Sequence, residues 1–278
     1  MSHENRPIVL ACDVDDTLVP VDTRDIVDRL QGAISLGRLC DLIKSERSSR
    51  KQPVYFGTAT GRSLASHKER EQQVPAFQAA AKIMDFTITS VGSAISLATP
   101  EGQKTVEGWP QTSNWHRDFI AQTLLQRPEL TLQGPEGQGT YKVSFDVFGV
   151  SDDFHGQYVD TVAAHLAEEN VPAQVLFSGG RFLDILPAGV NKGTALTRTV
   201  GALAVEHGDT VPMLTIAADD SMNGLDLLEA ADRVILPGNA HDSLREWAIA
   251  TIEPSCLYLA KGNFAAGVME GYQYFTKQ

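Results

Sequence analysis

The chain has 278 residues, of which 42% are hydrophobic and 21% are charged, as is usual for a soluble globular protein. This length allows one large domain or two smaller ones. The formal net charge of −12 argues against general nucleic-acid binding, which needs a basic surface. The polar start does not resemble a signal peptide, no apolar run approaches membrane-spanning length, and the three cysteines form no disulfide framework. We therefore expect a cytoplasmic protein that has no membrane partner.

The first third of the chain alternates between strand and helix patterns. Strands are predicted at 8–11, 54–57 and 86–91, a helix is predicted at 26–42, and Thr60-Gly61-Arg62-Ser63 opens another helix. This alternation is typical of a parallel sheet covered by helices.

The middle third has a different pattern. Residues 142–147 alternate between apolar and polar, a helix is predicted at 158–166, and short strands are predicted at 175–177 and 182–186. A hairpin turn is predicted at 178–181 and an exposed glycine-rich loop at 134–139. Strands with one polar face, backed by helices, favour an open-faced α+β layer.

The last third returns to alternation of strands and helices. Helices are predicted at 193–205, 221–231, near 243–250 and from about 264, and strands at 213–217, 234–236 and 257–259. We therefore predict an α/β fold with a doubly wound, mainly parallel, Rossmann-like sheet core. The core would comprise 1–105 and 187–278, with an α+β cap inserted at 106–186.

Two carboxylates follow the first predicted strand, and these are Asp13 and Asp15. Alternate side chains of a strand share a side, so both could face a cleft at its carboxyl end, where open parallel sheets bind ligands. Neighbouring carboxylates repel each other unless a cation such as Mg²⁺ joins them. Taken alone, the pair fits a solvated strand end with a helix cap equally well.

Three further motifs stand where a predicted strand passes to a helix. Thr60 and Gly61 offer a hydroxyl and a backbone N–H that suit a phosphate, although an N-cap threonine explains them taken singly. Lys192 is electrostatically disfavoured at a helix start unless it contacts an anion, with a solvated surface lysine as the alternative. Asp220 would complete a metal site, or cap the helix that follows it. The shared position of all four motifs favours a single site for phosphoryl transfer.

The four motifs together resemble those of the haloacid dehalogenase-like phosphohydrolases, and a cap between the second and third resembles their α/β-capped branch. Further stretches are similar to sucrose-phosphate phosphatases and to mannosylfructose-phosphate phosphatase-like relatives. These stretches are Thr60–Ser63, Ser90–Ile95, Lys142–Phe145, Ser178–Gly180, Leu183–Pro187 and Ala265–Gly267.

The resemblance implies a mechanism and the residues that perform it. Asp13 would be the nucleophile that forms an aspartyl-phosphate, and Asp15 would be the general acid and base. Mg²⁺ would bind Asp13, the backbone carbonyl of Asp15, and Asp220. The phosphoryl oxygens would be held by Thr60, the Gly61 N–H and Lys192, and Asn223 would orient the site.

The fourth motif departs from the Gly-Asp-x-x-Asn-Asp pattern that is usual in the family. Asp219 stands at the position of its glycine, and Gly224 stands at the position of its second aspartate. Either Asp219 or Asp226 could compensate for the missing carboxylate, so the ligand set of the metal is left open.

Four polar residues of the predicted cap are candidates for binding sugar hydroxyls, with ordinary solvated side chains as the alternative. They are Lys142, Ser144, Arg181 and Asp184.

The predicted function is Mg²⁺-dependent hydrolysis of a phosphorylated disaccharide or sugar. Sucrose 6-phosphate is the first candidate, followed by mannosylfructose phosphate or another glycosyl phosphate. Phosphotransfer between sugars, as in mutases, and non-catalytic binding of a sugar phosphate are the alternatives. The identity of the sugar, the oligomeric state and the extent of cap movement are left open.

Overall fold

The computed structural model describes residues 6–112, 114–149, 155–178 and 180–277, which form two β-sheets and the helices that pack on them. The strands in chain order are β1 (Ile8–Cys12), β2 (Val54–Ala59), β3 (Phe86–Thr89), β4 (Ala94–Thr99), β5 (Gly102–Thr105), β6 (Leu130–Leu132), β7 (Val143–Val147), β8 (Ala173–Ser178), β9 (Phe182–Pro187), β10 (Leu214–Ala218), β11 (Arg233–Leu236) and β12 (Leu257–Leu259). The α-helices are α1 (Ile26–Ser49), α2 (Leu64–Gln73), α3 (Pro75–Ala81), α4 (Arg117–Leu124), α5 (His155–Glu168), α6 (Lys192–His207), α7 (Leu225–Glu229), α8 (Asp242–Thr251) and α9 (Phe264–Thr276). None of these helices combines the length and the apolar character needed to cross a lipid bilayer.

The larger sheet has eight strands in the order β12-β11-β10-β1-β2-β3-β4-β5. Neighbouring strands from β12 to β3 are parallel, and β4 and β5 continue the sheet in antiparallel pairs. The predicted α/β fold with a mainly parallel sheet is thereby confirmed.

Both faces of the larger sheet are covered by helices. Because alternate side chains of a strand point to opposite faces, β1 contributes to two cores. Ile8 and Leu10 pack in one core with α1, α3 and α9, and Val9 and Ala11 pack in the other with α6, α7 and α8. β1 is fully buried, which explains why its sequence is a continuous apolar run.

The smaller sheet has four antiparallel strands in the order β6-β7-β9-β8. Its apolar face, which includes Val143 and Phe145, packs with α4 and α5 in a core of its own. Ser144 and Asp184 pair across β7 and β9, and their side chains meet. This is the α+β layer expected for 106–186, whereas the domain boundaries at 105/106 and 186/187 stay a prediction.

Several predicted elements differ from the observed ones. The third strand ends at Thr89 because the next three residues turn with positive φ. The helix predicted at 221–231 is a 3₁₀ turn, Met222–Gly224, followed by the short α7. The hairpin of β4 and β5 was not predicted, since β5 is polar and exposed along its whole length. Gly179 of the predicted hairpin turn lies outside the described residues.

Candidate active site

The candidate site lies at the carboxyl end of the central strands. β10, β1 and β2 are neighbours, and the last residue of β1, Cys12, pairs with Ala218 at the end of β10. The backbone N–H of Asp13 donates to the Ala218 carbonyl at 2.9 Å, so the residues after both strands begin side by side. This parallel register therefore brings Asp13 and Asp219 to one edge of the sheet, next to Thr60 after β2.

Three buried carboxylates meet at this edge. One oxygen each from Asp13, Asp219 and Asp220 lies within 4.8 Å of the others. The hydroxyl of Thr17, itself fully buried, donates to Asp220 Oδ1 at 2.8 Å and fixes that side chain. Such a set of oxygen donors is suited to a divalent cation.

Lys192 lies against this cluster and is only 1% exposed. Its Nζ donates to Asp13 Oδ1 at 3.0 Å, Asp219 Oδ2 at 3.1 Å and Asn223 Oδ1 at 3.2 Å. Lys192 is the first residue of α6, where Asn191 closes a capping box. An ammonium group is disfavoured at a helix N-terminus, and the carboxylates offset that penalty.

The site holds more acidic than basic side chains. Burial raises the pKa of Asp13 well above its ordinary value, although Lys192 opposes the shift, and burial together with Asp219 raises the pKa of Asp220 to about 7. Burial lowers the pKa of Lys192, but contact with Asp13 and Asp219 outweighs it and the pKa is raised. When all three carboxyls are ionised, the single ammonium leaves two negative charges buried, and a divalent cation would balance them.

The Asp15 carboxylate points to a different partner. Arg62 binds it through two hydrogen bonds, from Nε at 2.6 Å and from Nη2 at 2.8 Å, and donates from Nη1 to Ser66. Among the described residues, the side chain of Asp15 is not part of the acidic cluster. The structure thus adds Arg62, which the sequence analysis placed in a motif without a role. The predicted metal contact of the Asp15 carbonyl stays a prediction.

The loop after β2 presents backbone and hydroxyl groups at the same edge. Thr60 is buried, and its Oγ1 accepts the N–H of Arg62 at 3.2 Å. The Gly61 N–H has no acceptor within the described ranges, and it is available to an anion. These groups are the ones that the sequence predicts to bind a phosphate, and their role stays a prediction.

A turn at Ser90–Gly92 supports that loop. The φ angles of Ser90 and Val91 are 52° and 57°, a region that a β-branched residue rarely occupies. The Ser90 N–H donates to the Arg62 carbonyl at 2.7 Å, and the Val91 N–H donates to the Thr60 carbonyl at 3.1 Å. The unusual backbone is therefore held by bonds to the Thr60–Arg62 loop.

The same turn contacts the start of α6. A Cβ at Gly92 would lie 2.2 Å from the Asn191 carbonyl oxygen, so only glycine permits this approach. The Gly92 carbonyl also accepts the indole N–H of Trp109 at 2.8 Å. The residue before Lys192 and the chain entering the smaller sheet thus meet at one turn.

Three of the four candidate sugar-binding residues lie together next to the Thr60–Arg62 loop, and they are Lys142, Ser144 and Asp184. Lys142 and Asp184 are less than a tenth exposed, and Ser144 is fully buried. Lys142 Nζ donates to the Gly61 carbonyl at 3.1 Å and lies 3.3 Å from Asp184 Oδ1, which also accepts the Ser144 hydroxyl at 2.5 Å. This network joins the smaller sheet to the loop that carries Thr60.

Arg181 is not brought together with those three residues. Its Nε donates to Asp146 at 3.0 Å, and its guanidinium lies over the rings of Phe148 and Phe182. These contacts lie at the other end of β7 and β9, where Asp146 pairs with Phe182.

The fourth motif contributes Asp219, Asp220 and Asn223 to the site. Of the two residues proposed to compensate for Gly224, Asp219 lies in the acidic cluster, whereas Asp226 on α7 is not among its described members. Asn223 contacts the ammonium of Lys192, as noted above.

Comparisons with known proteins agree with the motifs. The model of the sucrose-6F-phosphate phosphohydrolase family matches residues 6–276. Sucrose-phosphatase 1 of Nicotiana tabacum is 31% identical over 222 residues, which are 78% of this chain and 49% of that protein. The chain spans about half the length of the Nicotiana tabacum relatives it matches.

Solved structures of other proteins resemble this chain as well. The sucrose-phosphatase from Synechocystis sp. PCC6803, solved in complex with sucrose and phosphate, is 28% identical with a TM-score of 0.74, covering 97% of this chain and 98% of that one. A haloacid dehalogenase-like hydrolase from Bacillus subtilis is 14% identical with a TM-score of 0.59, covering 98% and 96%, and shows a shared fold. The resemblance stated from the motifs is confirmed. This chain belongs to the sucrose-6F-phosphate phosphohydrolase family.

Proposed function

We propose that this chain is a Mg²⁺-dependent phosphatase that hydrolyses a phosphorylated disaccharide, with sucrose 6-phosphate as the first candidate. The observation that carries the proposal is the buried contact of Asp13 with Lys192, beside Asp219 and Asp220, at the end of the central strand. Family membership, and the names of the relatives, support the choice of substrate.

The first step is attack by Asp13 on phosphorus. A carboxylate oxygen of Asp13 forms a bond to phosphorus, the bond to the sugar oxygen breaks, and that oxygen receives a proton from Asp15. Lys192 opposes the rise in the pKa of Asp13 that burial causes, and so favours the ionised nucleophile.

The second step returns Asp13 to its starting form. Asp15, now a carboxylate, takes a proton from a water molecule whose oxygen attacks phosphorus, and the acyl phosphate bond to Asp13 breaks. Inorganic phosphate leaves. Arg62 orients Asp15 through its two hydrogen bonds in this scheme.

The acidic cluster is where Mg²⁺ would bind, with Asp13, Asp220 and the Asp15 carbonyl as proposed ligands. When bound, the cation reduces repulsion between the nucleophile and the phosphate and stabilises developing charge. Thr60, the Gly61 N–H, Lys192 and Asn223 are the proposed partners of the phosphoryl group, and such positioning supplies most of the catalysis of phosphoryl transfer.

The sugar would lie against the smaller sheet. Lys142 contacts the Gly61 carbonyl and Asp184, and Asp184 also accepts the Ser144 hydroxyl, so hydroxyls of a bound sugar could reach these three side chains while its phosphate lies in the site. We propose that 106–186 is a cap on a core of 1–105 and 187–278, and that it excludes water from the intermediate.

The test is phosphate release from a panel of phosphorylated mono- and disaccharides, with and without Mg²⁺. We expect Mg²⁺-dependent release, fastest for sucrose 6-phosphate, and its loss in Asp13→Asn with the melting temperature retained. Normal turnover by Asp13→Asn would refute the nucleophile. Formation of a phosphorylated acceptor sugar in place of inorganic phosphate would indicate phosphotransfer, and calorimetric binding without turnover would indicate a binding protein.

The cytoplasmic location expected from the sequence is part of this proposal. Cys12, Cys40 and Cys256 have free thiols, which suits a reducing compartment. Fractionation of cells that produce the protein would test it.

A further inference from the structure

The residue that follows Asp15 has an uncommon backbone conformation. Asp16 has a φ of 56°, in the left-handed region that residues other than glycine rarely adopt. Such a conformation persists where the surrounding structure holds it. Because Asp15 and Asp16 share a peptide bond, a change in the backbone of Asp16 would turn Asp15 away from its present direction.

Two side chains hold Asp16 at its two ends. Asn239, in the loop after β11, donates from Nδ2 to the Asp16 carbonyl at 2.6 Å. Arg24 donates to the Asp16 carboxylate from Nη2 at 2.9 Å and from Nε at 3.2 Å. The backbone and the side chain of Asp16 are therefore fixed by separate partners.

Phe264, the first residue of α9, contacts both of these partners. Its N–H donates to Asn239 Oδ1 at 2.8 Å, and the guanidinium carbon of Arg24 lies 5.8 Å from the centre of its ring. Phe264 is only 2% exposed. Since Oδ1 of Asn239 must accept from Phe264, Nδ2 must face Asp16, and the amide has a single orientation that satisfies both neighbours.

The start of α9 packs closely on the loop that carries Asn239. The Gly238 N–H donates to the Gly262 carbonyl at 2.7 Å. A Cβ at Gly267 would lie 2.3 Å from that same carbonyl oxygen and 2.9 Å from Pro237 Cα. The stretch Ala265–Gly267 therefore brings α9 close enough for Phe264 to reach Asn239.

We propose that Asn239 is a positioning residue, which transmits the location of α9 to Asp16 and thereby sets the direction of Asp15. The C-terminal helix then supports the general acid and base, although it contributes no side chain to the reaction. This inference rests on the proposed function in that it assigns the proton transfers to Asp15.

Two variants separate the contacts of Asn239. Asn239→Asp keeps an acceptor for the Phe264 N–H but places a carboxylate oxygen, in place of the amide donor, toward the Asp16 carbonyl. Asn239→Ala removes both contacts. Asn170→Asp is the matched control, because it makes the same change of charge at an exposed position.

The first measurement is hydrogen–deuterium exchange of the full chain without substrate or metal. Loss of one hydrogen bond should speed exchange in the segment 14–21 by about 2- to 10-fold in both variants of Asn239. Exchange at the start of α9 should rise in Asn239→Ala only. The control should exchange like the parent in both segments.

The second measurement is stopped-flow release of p-nitrophenol from p-nitrophenyl phosphate. This leaving group departs as an anion, so formation of the aspartyl-phosphate needs no proton from Asp15, whereas hydrolysis still needs Asp15 as a base. In Asn239→Asp the rate of the first turnover should stay near that of the parent, and the steady-state rate should fall by up to about 100-fold. A residue that only stabilised the fold would lower both rates alike.

Two results would overturn the inference. One is unchanged exchange in the segment 14–21 in both variants of Asn239. The other is an equal fall of the first-turnover and steady-state rates in Asn239→Asp. If the parent releases no phosphate from any substrate, the proposed function is refuted, and the exchange measurement alone decides whether Asn239 holds Asp16.

Discussion

Replacing Lys192 by methionine should destabilise the protein strongly, because the ammonium is the positive charge within hydrogen-bonding distance of both Asp13 and Asp219. With all carboxyls ionised, the cluster changes from two to three uncompensated negative charges. Loss of one partner of a buried ion pair costs about 3–5 kcal/mol. For a protein of this size we expect the melting temperature to fall by roughly 6–20 °C. The measurement is thermal unfolding in the presence of a chelator.

A second variant tests the electrostatic cause of this loss. Asp13→Asn combined with Lys192→Met returns the cluster to two negative charges, and removing a unit charge about 5 Å from another is worth roughly 3 kcal/mol at an effective dielectric constant near 20. The double variant should therefore be about 1–3 kcal/mol more stable than Lys192→Met alone. Lys44→Met, at an exposed pair, should change stability by less than about 0.5 kcal/mol. A double variant no more stable than Lys192→Met would refute the reasoning.

Three further predictions concern the sheet, the cation and the sugar. Gly57→Ala should destabilise the folded protein by at least about 1–3 kcal/mol, because the new Cβ would lie 2.3 Å from the Phe86 carbonyl oxygen. Gly37→Ala is the control, since a Cβ there meets open space and should leave stability unchanged. Equal melting temperatures of the two variants would contradict this prediction. Burial and Asp219 raise the pKa of Asp220 to about 7, so between about pH 4 and about pH 7 the folded state keeps a proton that the unfolded state has lost. Without a divalent cation, the free energy of unfolding should therefore fall as the pH rises through this range. Mg²⁺ should accordingly raise the melting temperature more at pH 8 than at pH 5. Equal increases at the two pH values would contradict binding of the cation to the acidic cluster. Asp184→Asn should raise KM for the sugar phosphate about tenfold while hydrolysis of p-nitrophenyl phosphate stays within about twofold, a split that would be absent if the residue were only structural.

The arrangement of strand ends could be predicted from the sequence because parallel strands impose it. Once β1, β2 and β10 are neighbours, the residues that follow them must share an edge, whichever side chains they carry. The apolar runs of these strands are strong signals, since both faces are buried. The cluster of Asp13 with Asp220 follows from these two facts.

The parts that could not be predicted depend on side-chain space and on local backbone. Nothing in the pattern of residues distinguishes Arg181, which pairs with Asp146, from Asp184, which meets Lys142. Val91 is predicted to lie in a strand because it is β-branched. In the structure its φ is 57°, and a hydrogen bond from its N–H to the Thr60 carbonyl holds it there. The choice between Asp219 and Asp226 required the positions of atoms, because both lie near Gly224 in sequence.

The turn at Ser90–Gly92 has a consequence for how this architecture can be recombined. It touches the Thr60–Arg62 loop, the entry to α6 and Trp109 on the way into the smaller sheet, so three separate parts of the chain depend on its shape. In a chimera that takes residues 106–186 from another relative, a foreign segment would replace Trp109 and its neighbours in contact with this turn. Grafts that carry the donor's own version of the turn should therefore yield folded protein more often than grafts cut at the sheet boundary alone.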